Sequence, residues 1–306
     1  MVYTAGGPSA PPYSFLRKVG QKMKTVLRLI FLLLLISAMS LLQPVRAIAE
    51  IASAPTGKIM YVDTSEEGKT YLATIDPDGT GKSRLTPAYS NIVFPRICES
   101  SGWMGFTNKT PDMRSEVYLL SRDGKKIKKI MEGVALEGFS PNGKFLLYST
   151  CDQKAELFSY CIESKQATQI SQELRVTAAD WSSDSEWIAV SVLVEDGTND
   201  LYLISTMAQG IVRLTQTPGI NESFPIFSSD GKYLAFISDR NGDNEIEYLD
   251  LQAKKFQRPL ITGMYPTLSP DKNWVAYEFN EKIGICQGDG TKMKLLAPGR
   301  TPCWIK

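Results

Sequence analysis

The sequence contains no histidine among its 306 residues. Histidine is the commonest general base in enzymes, the usual partner of a serine or cysteine nucleophile, and the commonest zinc ligand. An active site in this chain would therefore have to use carboxylates, lysine, tyrosine or cysteine. The Gly-x-Ser-x-Gly motif of the α/β-hydrolases is also missing, so the sequence excludes a serine hydrolase of that kind.

The sequence also lacks an apolar run of the ~20 residues that a transmembrane helix needs. Its main apolar run, Leu29 to Leu42, has 14 residues, and residues 1–49 carry six basic and no acidic side chains. Ala47-Ile48-Ala49 then offers a cleavage site of the Ala-x-Ala kind. We therefore predict a signal peptide over residues 1–49, cleaved after Ala49, and export to the periplasm or out of the cell.

Two alternatives stay open for this leader. If it is not cleaved, it anchors the protein to the membrane. Residues 1–22 are either a long basic n-region or an over-extended reading frame, because Met23 would also serve as a start. No cysteine follows the apolar run before Glu50, so no lipoprotein attachment is expected.

Cysteine and net charge are both low, with five cysteines, 34 basic and 33 acidic residues. All six basic residues of the leader are lost on cleavage, which leaves a mildly acidic protein. That charge argues against nucleic acid or an anionic membrane surface as the main ligand. Cys151 and Cys161 flank one predicted hairpin, and we interpret them as small apolar strand residues rather than as a disulfide.

What the chain does contain is a six-fold internal repeat. Six segments align on one register position, occupied in order by Pro95, Glu137, Ala179, Pro225, Pro266 and Pro302, with spacings of 42, 42, 46, 41 and 36 residues. A large apolar side chain stands two residues after each register position. A period of roughly 40 residues predicts propeller blades or solenoid units.

Within each unit the sequence predicts four short antiparallel strands. The copy at Pro225 shows the pattern best: an apolar strand ends at Phe227, residues 228–231 (Ser-Ser-Asp-Gly) form a turn, and a second apolar strand is centred on Phe236. Asp-Gly supplies the positive φ that a tight hairpin needs. A third, alternating strand and a fourth one, which ends at Arg213-Leu214-Thr215 in the copy at Ala179, complete the unit. Four such strands form one propeller blade.

The two ends of the chain complement each other. Residues 57–62 match the second strand of a blade that has no first strand, and residues 301–306 (TPCWIK) match only a first strand. Pairing the C-terminal strand with the N-terminal blade would remove two exposed sheet edges. We therefore predict an all-β fold, a six-bladed β-propeller of four-stranded antiparallel blades closed by the C-terminal strand, forming one domain over residues 50–306.

Residues 225–248 resemble the repeat of the TolB-like β-propellers, also called the WD40-like repeat, including Ser238-Asp239-Arg240. The resemblance covers residues 57–306. It implies a non-catalytic protein-binding or peptide-binding module of the cell envelope, of the Tol-Pal kind, with a peptidoglycan-associated lipoprotein as the expected partner. The α/β domain that precedes the propeller in that family has no counterpart between Glu50 and Thr56, so the functions of that domain are not expected here.

The loops that join the outer strand of one blade to the inner strand of the next gather at one face, and binding residues usually lie on such loops. Tyrosine and arginine dominate many protein interfaces. The candidates for partner binding on or near this face are Tyr89, Asn91, Arg96, Arg175, Asn221, Glu222, Tyr265 and Arg300.

Asp239, Asn241 and Asp243 are weak candidates for a cation site. Their alternating oxygen ligands resemble the start of a calcium loop, but that loop requires glycine at its sixth position and Asn244 stands there. We interpret the segment as the turn between two strands. No cofactor, metal or catalytic residue is predicted.

Two other functions remain open. One is a propeller enzyme that acts on a glycan or a small metabolite with carboxylate or metal chemistry in the central channel, and the other is a secreted scaffold without envelope partners. Carboxyl groups of raised pKa around the channel would favour the enzyme. An apolar, aromatic-rimmed loop face would favour protein binding.

Overall fold

The computed structural model describes residues 54–306 except residues 172, 207–209, 229, 272 and 306, and except the side chains of residues 257–260. The predicted signal peptide and its cleavage site lie outside the described residues. The described part consists of 24 β-strands in six four-stranded antiparallel sheets. None of the described residues form a helix that could cross a bilayer.

The six sheets are the predicted blades, and the strands of each blade follow one another from the channel outward. Blade 1 contains β24 (Arg300–Ile305), β1 (Lys58–Thr64), β2 (Thr70–Ile75) and β3 (Ser83–Arg84). Blade 2 contains β4 (Ile92–Ile97), β5 (Trp103–Lys109), β6 (Ser115–Ser121) and β7 (Ile127–Glu132). Blade 3 contains β8 (Val134–Phe139), β9 (Phe145–Thr150), β10 (Leu157–Cys161) and β11 (Ala167–Gln169).

The second half of the chain repeats the same order. Blade 4 contains β12 (Val176–Trp181), β13 (Trp187–Leu193), β14 (Asn199–Ser205) and β15 (Ile211–Arg213). Blade 5 contains β16 (Glu222–Phe227), β17 (Tyr233–Ser238), β18 (Glu245–Asp250) and β19 (Lys255–Thr262). Blade 6 contains β20 (Met264–Leu268), β21 (Trp274–Phe279), β22 (Lys282–Gln287) and β23 (Lys294–Pro298).

The C-terminal strand closes the ring as predicted. β24 pairs with β1 in antiparallel register, with Ile59 opposite Trp304 and Met60 opposite Cys303. The Trp304 side chain is 4% exposed, and its Nε1 donates a hydrogen bond of 2.8 Å to the Thr56 carbonyl. Trp304 therefore joins the last strand of the ring to the segment that precedes the first strand.

The hydrophobic core lies between blades, because every blade packs on both of its faces against neighbours. One cluster joins blades 6 and 1 through Trp274, Tyr61 and Trp304, and another joins blades 1 and 2 through Met60 and Phe106. Gly105 shows how closely the blades approach: a Cβ at this position would lie 2.6 Å from Leu136 Cδ2 of blade 3. A small residue at the centre of the second strand therefore leaves the space that a side chain of the neighbouring blade occupies.

The ring has two faces that differ in their turns. The hairpin face carries the turns between the first and second strands, and in blades 3 to 6 a serine stabilises this turn. In blade 5, Ser228 Oγ donates to Asp230 Oδ1 (2.7 Å) and accepts the Tyr233 N–H (3.0 Å). The loop face carries the connections between blades, and they bond to the turns between second and third strands, as where the Leu193 N–H donates to the Arg175 carbonyl (2.9 Å).

Candidate functional site

The wall of the central channel is formed by the first strands of the six blades, and four of these strands contain the same bulge. In each of the four, a residue with positive φ immediately precedes a proline at the register position: Phe94 (49°), Phe224 (52°), Tyr265 (51°) and Thr301 (45°). The ladder shifts at this point in all four strands. A bulge bends the strand and redirects the side chains beside it.

Three of these bulged residues, Phe94, Phe224 and Tyr265, form an aromatic cluster. The ring centroids are 5.3 Å apart for Phe94 and Phe224, 5.5 Å for Phe94 and Tyr265, and 4.8 Å for Phe224 and Tyr265. Phe94 belongs to blade 2 and Phe224 to blade 5, which stand on opposite sides of a six-membered ring. The cluster therefore spans the channel, on the side nearer the loop face because these residues precede the register position.

A cavity of about 160 Å³ lies against this cluster within the channel. The residue after the register position lines it in five blades, with Arg96 from blade 2, Asp180 from blade 4, Ile226 from blade 5, Thr267 from blade 6 and Cys303 from blade 1. Because the first strands run from the loop face to the hairpin face, this polar level lies nearer the hairpin face than the aromatic cluster does.

The same level of the channel connects neighbouring first strands. Arg96 Nε donates to the Glu137 carbonyl (2.6 Å), and Thr267 Oγ1 accepts the Trp304 N–H (3.2 Å). Asp180 Oδ2 accepts the Phe227 N–H (2.9 Å). Each bond ties one blade to the next at the channel wall, which satisfies backbone groups that the ladders leave free.

Two carboxyl groups at the channel wall have raised pKa values. Burial raises the pKa of Asp180 to about 6, and the Phe227 N–H and the charge of Arg96 oppose the shift. Burial also raises the pKa of Glu137, against the hydrogen bond that Ser149 Oγ donates to its Oε1 at 2.6 Å. These carboxyl groups are the feature expected of the alternative enzyme, whereas the aromatic cluster is the feature expected of a protein-binding face.

Glu222 is not a surface residue, and the sequence prediction is corrected on this point. Its side chain is fully buried, and its Oε1 pairs with Arg240 at 2.7 Å. Arg240 also pairs with the buried Glu247 at 3.4 Å. Burial raises the pKa of Glu222, an effect that the Arg240 charge opposes. The ion pair joins positions 18 residues apart, so the loop pattern alone gave no sign of it.

The other candidates on the interblade loops are placed in three different ways. Tyr89 is half-buried and packs edge-to-face on Phe106 and Tyr118, both at 5.0 Å between ring centroids. Asn221 bridges two turns, since its Oδ1 accepts from Asn199 Nδ2 (2.8 Å) and its N–H donates to Asp239 Oδ1 (2.8 Å). Arg175 is exposed on the loop face, where its Nε donates to the Gln153 carbonyl (3.1 Å).

The remaining candidates separate into loop and channel positions. Asn91 and Arg300 are half-buried at the loop end of β4 and β24, and the Asn91 N–H donates to Asn108 Oδ1 (3.1 Å). Tyr265 and Arg96 instead belong to the channel, at the aromatic cluster and the polar cavity respectively. The structure thus brings together only a part of the predicted set.

The segment suggested as a weak cation site is a turn, in agreement with our interpretation. Residues 239–244 connect β17 and β18, and the Gly242 N–H donates to the Asp239 carbonyl (2.8 Å). Asp239 Oδ1 is occupied by the Asn221 N–H. Across the described residues, no group of three or more histidine, cysteine or acidic side chains is arranged to hold a metal ion.

Sequence reasoning missed three residues of the channel: Phe94, Phe224 and Asp180. A signal for the first two was present, since an aromatic residue precedes proline at three register positions, giving Phe94-Pro95, Phe224-Pro225 and Tyr265-Pro266. Asp180 had no comparable signal, because the residue after the register position differs in every blade.

Known families and structures share this architecture. The TolB beta propeller domain family matches residues 106–302, more than half of the chain. A crystal structure of TolB from Acinetobacter baumannii has the same fold, with a TM-score of 0.73 and 19% identity over 85% of this chain and 69% of that one.

Two curated relatives share shorter segments. A protein named as a Tricorn-like protease C-terminal subunit of Sulfurisphaera tokodaii is 28% identical over 161 residues, which cover 51% of this chain and 18% of the relative. The Tol-Pal system protein TolB of Helicobacter pylori (strain ATCC 700392 / 26695) is 38% identical over 80 residues, which cover 26% of this chain and 19% of the relative. The matched segments therefore span less than a fifth of either relative's length.

Proposed function

This chain belongs to the TolB β-propeller domain family, and from that membership we propose that it is an exported, non-catalytic module that binds a protein partner in the cell envelope. The observation that carries the proposal is the half-exposed aromatic cluster spanning the channel on the side of the loop face. Aromatic side chains surrounded by polar loops are typical anchors for a protein partner. The loop face is therefore the binding surface in this proposal.

The partner that we propose is a peptidoglycan-associated lipoprotein. The support is the similarity to a relative named as a Tol-Pal system protein, together with the resemblance of residues 225–248 to the TolB-like repeat. Arg175 is the exposed charge on the loop face that we place at the rim of this contact, and Tyr265 is the anchor at its centre.

The proposed surface is tested by capture of purified peptidoglycan-associated lipoprotein on immobilised protein. Tyr265→Ala should weaken binding by about 10-fold or more, as truncation of a central anchor does. Arg175→Glu should weaken it less, since rim charges mainly change the association rate.

The matched control for the second variant is Lys144→Glu, which reverses an exposed charge in a turn of the hairpin face. Neither charge reversal should change the free energy of unfolding by more than about 0.5 kcal/mol. If Arg175→Glu and Lys144→Glu retain partner equally and Tyr265→Ala binds like wild type, the loop face is not the binding surface.

Export is part of the same proposal. It is supported by the short apolar run 29–42, the basic residues before it and Ala47-Ile48-Ala49. N-terminal sequencing of the protein from its host should find Glu50 as the first residue. An intact leader in the membrane fraction would instead make the protein an anchored one.

A second candidate function rests on a different observation, the raised pKa values of Asp180 and Glu137 at the channel wall. Of the two, Asp180 lines the cavity, and a carboxyl group with a pKa of about 6 can act as a general acid. The purified protein should be incubated with glycans and with peptides, and any turnover should be measured again with Asp180→Asn. Turnover that the substitution abolishes would establish this enzyme and replace the non-catalytic proposal.

A further inference from the structure

Two opposite charges face the same small cavity in the channel without meeting each other. Arg96 and Asp180 both line it, but no ion pair within 4.0 Å joins either of them to another charged side chain in the described part of the chain. From this arrangement we propose that the cavity binds a small zwitterion, a molecule of the α-amino-acid class, with its ammonium group at Asp180 and its carboxylate at Arg96.

The hydrogen bonds of the two side chains leave room for these contacts. Arg96 donates from Nε to the Glu137 carbonyl (2.6 Å) and from one terminal nitrogen to the Pro95 carbonyl (3.2 Å), so it bonds two neutral acceptors and no carboxylate. Asp180 accepts the Phe227 N–H with Oδ2 only (2.9 Å). Both side chains are half-buried at the channel wall. A charge that is partly removed from water and has no opposite partner is costly, and a ligand of complementary charge would offset that cost.

The neighbouring titratable groups do not compete for the ligand. Burial raises the pKa of Cys303 to about 12, so its thiol is neutral at physiological pH. Glu137 is turned toward Ser149, whose hydroxyl donates to its Oε1 at 2.6 Å. Arg96 and Asp180 are therefore the two charges that define the recognition properties of this cavity.

The size and walls of the cavity restrict the ligand further. A volume of about 160 Å³ suits a small molecule and is too small for a folded partner. Its apolar wall includes Ile97, Ile226 and Trp304, which would contact an aliphatic side chain. The aromatic cluster covers one side, and a site shielded from water strengthens charge–charge interactions.

Calorimetric titration of the purified protein at neutral pH tests the proposal with three probes: L-alanine, sodium acetate and methylammonium chloride. L-Alanine should bind, and each singly charged analogue should bind at least about 10-fold more weakly, because one charge-assisted contact is lost. Asp180→Asn should weaken L-alanine binding by about 10-fold or more while keeping the side-chain shape and an oxygen acceptor for the Phe227 N–H.

A control variant separates binding from interblade bonding. Thr107 Oγ1 accepts the Leu136 N–H (2.8 Å) and thus ties blade 2 to blade 3, but Thr107 does not line the cavity. Thr107→Val should lower stability and leave the dissociation constant for L-alanine within about two-fold of wild type.

Several results would overturn the proposal. Acetate binding as tightly as L-alanine would make this a simple anion site, and methylammonium doing so would make it a simple cation site. Absence of L-alanine binding at concentrations up to about 10 mM would mean that the cavity holds only water. The comparison of the three probes uses the wild-type protein alone, so it stands even if Asp180→Asn fails to fold, and it is independent of partner capture at the loop face.

Discussion

The wall of the central channel is built in two ways by the six blades. In blades 1, 2, 5 and 6, a residue of positive φ and a proline together face one aromatic residue of the second strand, which is Tyr61, Phe106, Phe236 or Tyr277. Blades 3 and 4 have Glu137 and Ala179 at the register position, and the residues before these have no positive φ.

Proline accounts for the difference between the two kinds of wall. A bulge leaves its extra residue unpaired, and proline has no N–H that could be left unsatisfied there. The proline-bearing blades supply all three members of the aromatic cluster. Blades 3 and 4 supply the two carboxyl groups of raised pKa, Glu137 and Asp180.

The largest effect should come from a substitution in β24, the proline-bearing first strand that pairs with β1 and closes the ring. Trp304 is 4% exposed within β24, and truncating a buried tryptophan costs about 3 to 5 kcal/mol. Trp304→Ala should lower the free energy of unfolding by that amount in a denaturant titration. Trp103→Ala is the control, because Trp103 is 38% exposed, and it should cost less than about 1 kcal/mol. Equal losses would mean that β24 is not needed to close the ring.

A smaller effect should distinguish the wall of blades 3 and 4 by its pH dependence. Burial raises the pKa of Asp180 from 3.8 to about 6, so the folded state holds this proton more tightly than the unfolded state does. The resulting stability is fully present below the unfolded pKa and is lost as the pH rises through the folded pKa. Between about pH 4 and pH 7, wild type should lose on the order of 1 to 2 kcal/mol relative to Asp180→Asn, because the channel keeps part of the carboxylate hydrated.

The control for this prediction is an aspartate with the opposite shift. The hydroxyl and N–H of Thr198 lower the pKa of the exposed Asp196, so its contribution is present above its unfolded pKa and is lost as the pH falls. The stability difference between wild type and Asp196→Asn should thus have the opposite sign of slope. Stability curves that run parallel for wild type and Asp180→Asn would mean that the Asp180 carboxyl is not desolvated.

The repeat predicted the ring and its closure because each blade carries its own copy of the strand and turn pattern, including Asp-Gly in blade 5 and the lone first strand at residues 301–306. The site was less predictable. Phe94 meets Phe224 across the ring from positions 130 residues apart, and Glu222 meets Arg240 between strands. Contacts of this kind depend on the curvature of the ring and on side-chain direction, and neither is fixed by spacing along one blade.

The smallest effect is expected at the residue before the register position, where Phe94 and Ala178 occupy equivalent positions in blades 2 and 4. Phe94 has a φ of 49°, a conformation that glycine adopts without the steric cost that alanine incurs, whereas Ala178 has no positive φ. Phe94→Gly should therefore be more stable than Phe94→Ala by about 0.5 to 1 kcal/mol, although both lose the aromatic contacts. Ala178→Gly should have the opposite sign and destabilise the protein by about the same amount, since glycine loses more backbone entropy than alanine at a position without positive φ. The four proteins should be compared by urea unfolding at one pH. If glycine is worse than alanine at both positions, the bulge at Phe94 is not strained, and the two kinds of channel wall differ only in their side chains.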